Sequence, residues 1–300
     1  MTTIDQPARP AADLIAADTA MDAVTLHVRD LDVVGAFYRD AIALTVIAEQ
    51  TGERGRRTVT MGRGSTPLLV LQHTPDLPGP APRGSGLFHT AILFDDAPSL
   101  AATLARVAQH APGSYSGSAD HLVSEAFYLS DPEGNGVELY LDRSRDTWTW
   151  DEGRVRMAAL PLDPNAFLAE HLTAEAVAGA EQADAVVGHV HLQVGDVPTA
   201  RRFYVDLLGF EVTAEMPTAL FVSAGGYHHH LAMNTWNSLG AGPRASSIGL
   251  GEVAIVVPTS DDLAAVRSRL SAQGVAIGEA GGVLGFADPW RNAIRVSAAA

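Results

Sequence analysis

The sequence predicts an α+β fold assembled from four copies of one βαβββ unit. Three observations carry that reading: 300 residues exceed one small core, 47% of them are apolar, and the chain repeats itself. The segment LHVRDLDVVGAFYRDAIALTV (26–46) lies over LQVGDVPTARRFYVDLLGFEV (192–212) without a gap, sharing Asp30/Asp196, Phe37-Tyr38/Phe203-Tyr204 and Asp40/Asp206. A second pair is HTAILFDDAPSLAATLARV (89–107) over EVAIVVPTSDDLAAVRSRL (252–270). Both of its members run on into an Asp-Pro turn, Asp131-Pro132 and Asp288-Pro289. In each unit a short alternating strand ends near an Asp, and apolar residues three and four apart, as in VVGAFYRDAI, then predict an amphipathic helix. Short β-rich runs follow, in the third unit FEVTAEM, ALFVSA and HHLAMNTW, punctuated by Gly225-Gly226. The units fall at 22–75, 86–143, 187–236 and 249–299. In chain order they make an N-terminal pair (22–143) and a C-terminal pair (187–300), after a flexible arm (1–21). An Ala/Glu/Asp-rich helical linker (144–186) joins the two pairs.

Composition narrows the function. With 35 acidic against 20 basic residues the formal charge is −15, which repels phosphate backbones and anionic lipid and excludes nucleic acid and membrane partners. No apolar run approaches the ~20 residues that cross a bilayer, and the N-terminus has no apolar signal region, which predicts a cytoplasmic protein. Zero cysteine removes disulfides, thiolate zinc sites, iron–sulfur clusters and a cysteine nucleophile. Any metal must then sit on His, Asp or Glu, so the 11 His are the residues to follow.

The four units, with the motifs GHVHL (188–192), SAGGYHHH (223–230) and YLSDPEGNGVE (128–138), resemble the vicinal oxygen chelate superfamily. Within it they are similar to the type I extradiol, catechol 2,3-dioxygenase-like branch. The resemblance covers 22–299 and implies the glyoxalase/bleomycin-resistance/dihydroxybiphenyl dioxygenase fold, in which units pair into two curved-sheet barrels. It also implies metal ligands on the first and last strand of each unit. Counting back seven residues from the Asp that closes the first strand reaches His189 in unit three and Ala23 in unit one. In unit two the strand opens with His89, six residues before Asp95, and alignment puts Glu252 at this place in unit four. Seven residues after the Asp of the Asp-Pro turn stand Glu138 in unit two and Arg295 in unit four, and an arginine cannot ligate a cation.

His89, Glu138 and His189 therefore form the expected metal set. Two imidazoles and one carboxylate suit non-heme iron(II), and manganese fits the same set. Since all three lie in units two and three, those units are expected to pair around the metal, with units one and four as a metal-free pair serving as scaffold or homo-oligomer contact. Pairing in chain order would instead group His189, His229 and Glu252. His191 shares the strand face of His189 and is an alternative ligand or a neighbour of the ligands; His27 reads as structural or as a surface residue.

The resemblance also implies catalytic residues. His229 matches the acid–base histidine of extradiol enzymes, and alternation along a strand would turn it opposite to His228 and His230. Tyr128, ten residues before Glu138, matches their tyrosine, and His121 matches a second histidine less closely, being two residues nearer to the tyrosine. The implied reaction inserts both atoms of O2 into a catechol-type ring, with His229 and His121 moving protons and Tyr128 hydrogen-bonding a substrate oxygen. The alternatives are a glyoxalase-type metal-dependent isomerase or lyase and a metal-free antibiotic-binding protein.

Overall fold

The computed structural model describes residues 13–52 and 55–299. A short strand, β1 (Ala20–Met21), precedes unit one: β2 (Val24–Val28), α1 (Leu31–Asp40), β3 (Thr45–Thr51), β4 (Arg57–Arg63) and β5 (Thr66–His73). Unit two is β6 (Gly86–Phe94), α2 (Ala97–His110), β7 (Tyr115–Asp120), β8 (Ser124–Ser130) and β9 (Gly136–Asp142). The linker holds a hairpin, β10 (Trp150–Asp151) and β11 (Arg154–Val155), then α3 (Pro164–His171) and α4 (Ala174–Ala178). Unit three is β12 (Ala185–Gln193), α5 (Val197–Arg201) running into a π-helical turn, β13 (Glu211–Met216), β14 (Ala219–Ser223) and β15 (Leu231–Asn234). Unit four is β16 (Gly249–Val257), α6 (Ser260–Ala272), β17 (Gly278–Ala280), β18 (Val283–Ala287) and β19 (Ala293–Ala298).

Each unit closes on itself by pairing its last strand parallel to its first: β2 with β5, β6 with β9, β12 with β15, β16 with β19. First strands then pair antiparallel between units, β16 with β2 and β12 with β6. Two curved sheets result, in the orders β17-β18-β19-β16-β2-β5-β4-β3 and β13-β14-β15-β12-β6-β9-β8-β7, with β1 beside β16. Units four and one share one sheet, and units three and two the other.

The repeated polar residues have structural work. Asp30, Asp96, Asp196 and Thr259 each accept a hydrogen bond from the backbone N–H three residues on, capping α1, α2, α5 and α6. Counted from these caps, the same seven-residue step reaches Ala23, His89, His189 and Glu252, so the cap of unit two is Asp96 rather than Asp95 and its apparent irregularity disappears. Asp131 holds its own turn through Glu133 and Asn135 and accepts from the hydroxyl of buried Tyr38 (3.3 Å). Asp288 does the same with Tyr204 (2.9 Å). Consecutive units are thus tied helix to turn, while the sheets join units one with four and two with three.

Two sequence expectations are corrected. The predicted flexible arm packs over its described part, 13–21: Ile15 is buried and its N–H donates to Gly209 O, and β1 joins a sheet. Residues 1–12 lie outside the described residues. The predicted helical linker is helical only in part. Residues 148–160 form the β10–β11 hairpin and a following irregular stretch rather than a helix, because Trp148 and Val155 bury against Val123 and Tyr227, and Asp120 and Leu160 exchange backbone hydrogen bonds. Among the described residues no helix is long and apolar enough to cross a membrane.

Candidate active site

The site forms where β9, β6 and β12 run side by side. Glu138 and His189 are both register partners of Ala91, so the three lie in one row across the strands. His89, two residues before Ala91, projects from the same face. Ala91 fills the middle of the row with only a methyl group, and the three longer side chains converge over it. His89 Nε2 lies 2.9 Å and His189 Nε2 3.2 Å from Glu138 Oε2, and the two nitrogens are 3.4 Å apart. All three residues are buried.

The donor set fits a divalent ion. Ligands at ~2.1 Å from one centre sit about 3.0 to 3.4 Å from one another, for right-angled and tetrahedral arrangements respectively. Burial lowers the pKa of His189 to about 4, so its imidazole is neutral at pH 7. Burial would raise that of Glu138, but the two imidazoles at Oε2 outweigh it and hold the carboxyl well below its usual range. An ionised carboxylate with unprotonated imidazoles is the state a metal requires. No arginine pairs with Glu138 among the described residues.

His229 adjoins this cluster, its ring centroid 4.1 Å from that of His189. Its Nδ1 is 2.7 Å from His228 Nδ1, and His228 Nε2 is 2.9 Å from Asp142 Oδ1. A carboxylate only accepts, so His228 Nε2–H donates to Asp142; in the tautomer with that single ring proton, His228 Nδ1 accepts from His229 Nδ1–H. His229 is left with its lone pair on Nε2. Burial, then the neighbouring imidazoles, keeps its pKa well below the usual histidine value.

Tyr128 is the register partner of Glu138 on β8. Its hydroxyl is 2.5 Å from His121 Nε2, whose Nδ1 is 2.6 Å from Ala158 O. A carbonyl only accepts, so the His121 proton is on Nδ1 and Nε2 accepts from the phenol. Burial, with the Glu138 charge second, pushes the Tyr128 pKa up and keeps it a neutral donor.

His89, His121, Tyr128, Glu138, His189 and His229 all line one cavity of about 990 Å³. His191 lines it too but is engaged elsewhere, its Nε2 accepting from Asn234 Nδ2 at 2.9 Å. Glu252 lies in the other sheet, 3.2 Å from Arg295. The histidine run precedes β15 rather than lying in it, following the left-handed pair Gly225-Gly226 (φ 59° and 68°).

The chain is 37% identical over 282 residues to catechol-2,3-dioxygenase of Bacillus subtilis (strain 168), an alignment spanning 91% of this chain and 94% of that protein. Residues 20–139 and 186–296 match the profile of the Glyoxalase/Bleomycin resistance protein/Dioxygenase superfamily. The chain belongs to that superfamily. Within it, the sequence places the chain with the catechol 2,3-dioxygenase-like enzymes. Two solved members of the wider fold superpose over most of their length. Glyoxalase I of Zea mays is 17% identical with a TM-score of 0.57, covering 93% of this chain and 92% of that one. The cppA protein of Streptococcus pneumoniae TIGR4 is 11% identical with a TM-score of 0.59, covering 95% and 99%. The superfamily match leaves out 140–185, which includes Asp142 and the Ala158 carbonyl.

Sequence reading missed these two and His228. Strand parity offers a signal for Asp142, since 138, 140 and 142 share a face of β9. The Ala158 carbonyl has none, because any residue type presents one.

Proposed function

We propose that this chain is an extradiol ring-cleaving dioxygenase that inserts both atoms of O2 into a catechol-type substrate at a mononuclear iron(II) site held by His89, Glu138 and His189. The observation that supports it most is one buried cluster of two imidazoles and a carboxylate, beside a neutral histidine and a neutral tyrosine in one cavity. When bound, iron(II) supplies the redox and Lewis-acid chemistry that couples a catechol to O2; manganese(II) suits the same donors.

The chain's own groups supply the rest. Nε2 of His229 takes a proton from a substrate hydroxyl and returns one later, Asp142 and His228 fixing which ring nitrogen is free. Tyr128, its O–H given to His121 Nε2, offers its hydroxyl oxygen as acceptor to a substrate hydroxyl and orients the ring; His121, held by the Ala158 carbonyl, fixes the phenol. Burial of His89, Glu138, His189, His228 and His229 limits water at the reacting atoms.

The test is anaerobic loading with iron(II), addition of a panel of catechols, and admission of air. A yellow ring-opened product with one O2 consumed per product is expected, with activity lost as pH falls toward about 4, where His189 protonates. Stoichiometric iron with no oxygen uptake across the panel overturns the reading.

A further inference from the structure

Resting on that reading, we propose that the preferred substrate is a neutral catechol bearing a bulky apolar substituent, and that the linker between units two and three forms one wall of the subsite for it. The cavity's volume of about 990 Å³ lies at the top of the ~300–1,000 Å³ usual for small-molecule sites, far more than a single six-membered ring fills. Its donor groups gather at one place, and the remaining lining is mainly apolar.

One wall is aromatic. Phe88 stands edge-on to Trp236 (centroids 5.3 Å) and to His191 (4.9 Å), and Phe221 packs against His191 and His229 (5.9 and 5.1 Å). The other comes from outside the repeated units. Val155 and Met157 of the linker line the cavity with Val123. That segment is fixed: Val155 is buried with Trp148 and Tyr227, Asp120 and Leu160 exchange two hydrogen bonds (3.0 and 2.9 Å), and Ala158 O anchors His121.

A second observation concerns Trp236 and Met216. Both line the cavity yet are 50% and 45% exposed, leaving large apolar side chains in water where a ligand would cover them. Charge points the same way. Glu138 and the chain's −15 disfavour an anionic substituent. Arg156 is the one arginine lining the cavity among the described residues; it is exposed, between inward-facing Val155 and Met157.

The test measures anaerobic binding by tryptophan fluorescence, which requires no turnover. Probes are catechol, 4-tert-butylcatechol, 2,3-dihydroxybiphenyl and the anionic 3,4-dihydroxyphenylacetate. Both apolar probes should bind at least ~10-fold more tightly than catechol, since each buries additional apolar surface, and the acid more weakly than catechol. Ala159→Trp, at an exposed lining position of the linker, should shrink the apolar advantage to within about threefold by filling the subsite. Ala214→Phe on β13 fills the same cavity from the other side and should act in the same direction. Equal Kd values for catechol and the apolar probes overturn the proposal, as does tightest binding of the acid through Arg156. An apolar advantage untouched by both substitutions overturns the placement of the subsite. Failure of oxygen uptake alone counts against the dioxygenase reading and leaves these affinities as measured.

Discussion

The two curved sheets are built from the same unit in the same strand order, yet they differ at every position that bears on chemistry. Where one has His189, His89 and Glu138, the other has Ala23, Glu252 and Arg295. By strand register Tyr128 corresponds to Gly285. In the second sheet a guanidinium stands where a cation would be held: Arg295 is 2.9 Å from Asp22 and 3.2 Å from Glu252. Burial raises the Glu252 pKa, with Arg295 opposing, and the group remains only half-buried. The comparison separates two layers of information. Helix caps and tyrosine-to-turn bonds recur in both halves and maintain the fold, while the row seven residues before each cap is free to change.

The sharpest contrast pits Glu138→Ala against Arg295→Ala. The first should abolish tight iron binding, read as metal per protein after gel filtration, and turnover with it. The second should leave iron content unchanged and shift stability by no more than ~1 kcal/mol, because the pair is partly exposed. Iron loss in both variants would mean that the two sheets are not functionally distinct.

Next in size is the proton-handling group. His229→Ala should retain iron while kcat falls ~10²–10⁴-fold, the usual range for a positioned acid–base. Asp142→Leu, which removes the acceptor that sets the His228 and His229 protons, should lower kcat about 10–100-fold with KM little changed. Metal loss in His229→Ala would reassign it as a ligand.

The smallest effect is on stability in acid. The candidate metal site and its flank hold four imidazoles whose pKa is lowered by burial: His189 to about 4, His230 to about 3, and His191 and His229 well below the usual value. The other sheet has one lowered imidazole, half-buried His27. Folded values below 6.5 mean the unfolded chain binds more protons between those values and 6.5. Stability is therefore complete above about pH 6.5 and lost as pH falls, each group contributing up to ~1.4 kcal/mol per pH unit. The urea midpoint of metal-free protein should drop between pH 7.5 and 5, and His230→Phe should flatten the slope. A level midpoint contradicts the neutral imidazoles.

Much of this was legible because the repeat is physical. Asp30 and Asp196 recur because a helix must be capped, and Tyr38 and Tyr204 because a buried phenol needs its acceptor, so alignment of units located the candidate ligands. The linker escaped because its role depends on backbone groups and on Trp148 and Val155 finding Val123, contacts without periodicity. The resemblance to extradiol enzymes singled out His229, and the alternation expected to set its face does not apply because the run lies outside a strand; what separates it from His228 is the latter's long-range bond to Asp142, which lies 86 residues away.

The bonds from Tyr38 to Asp131 and from Tyr204 to Asp288 have a consequence for how the polypeptide can be divided. Strand pairing makes unit one depend on four and two on three, while the phenols make one depend on two and three on four. The dependence closes into a circle with no seam. Severing the linker would leave two fragments, one baring β2 and β6 and the other β12 and β16, so each would need the other to cover both of its open strand edges.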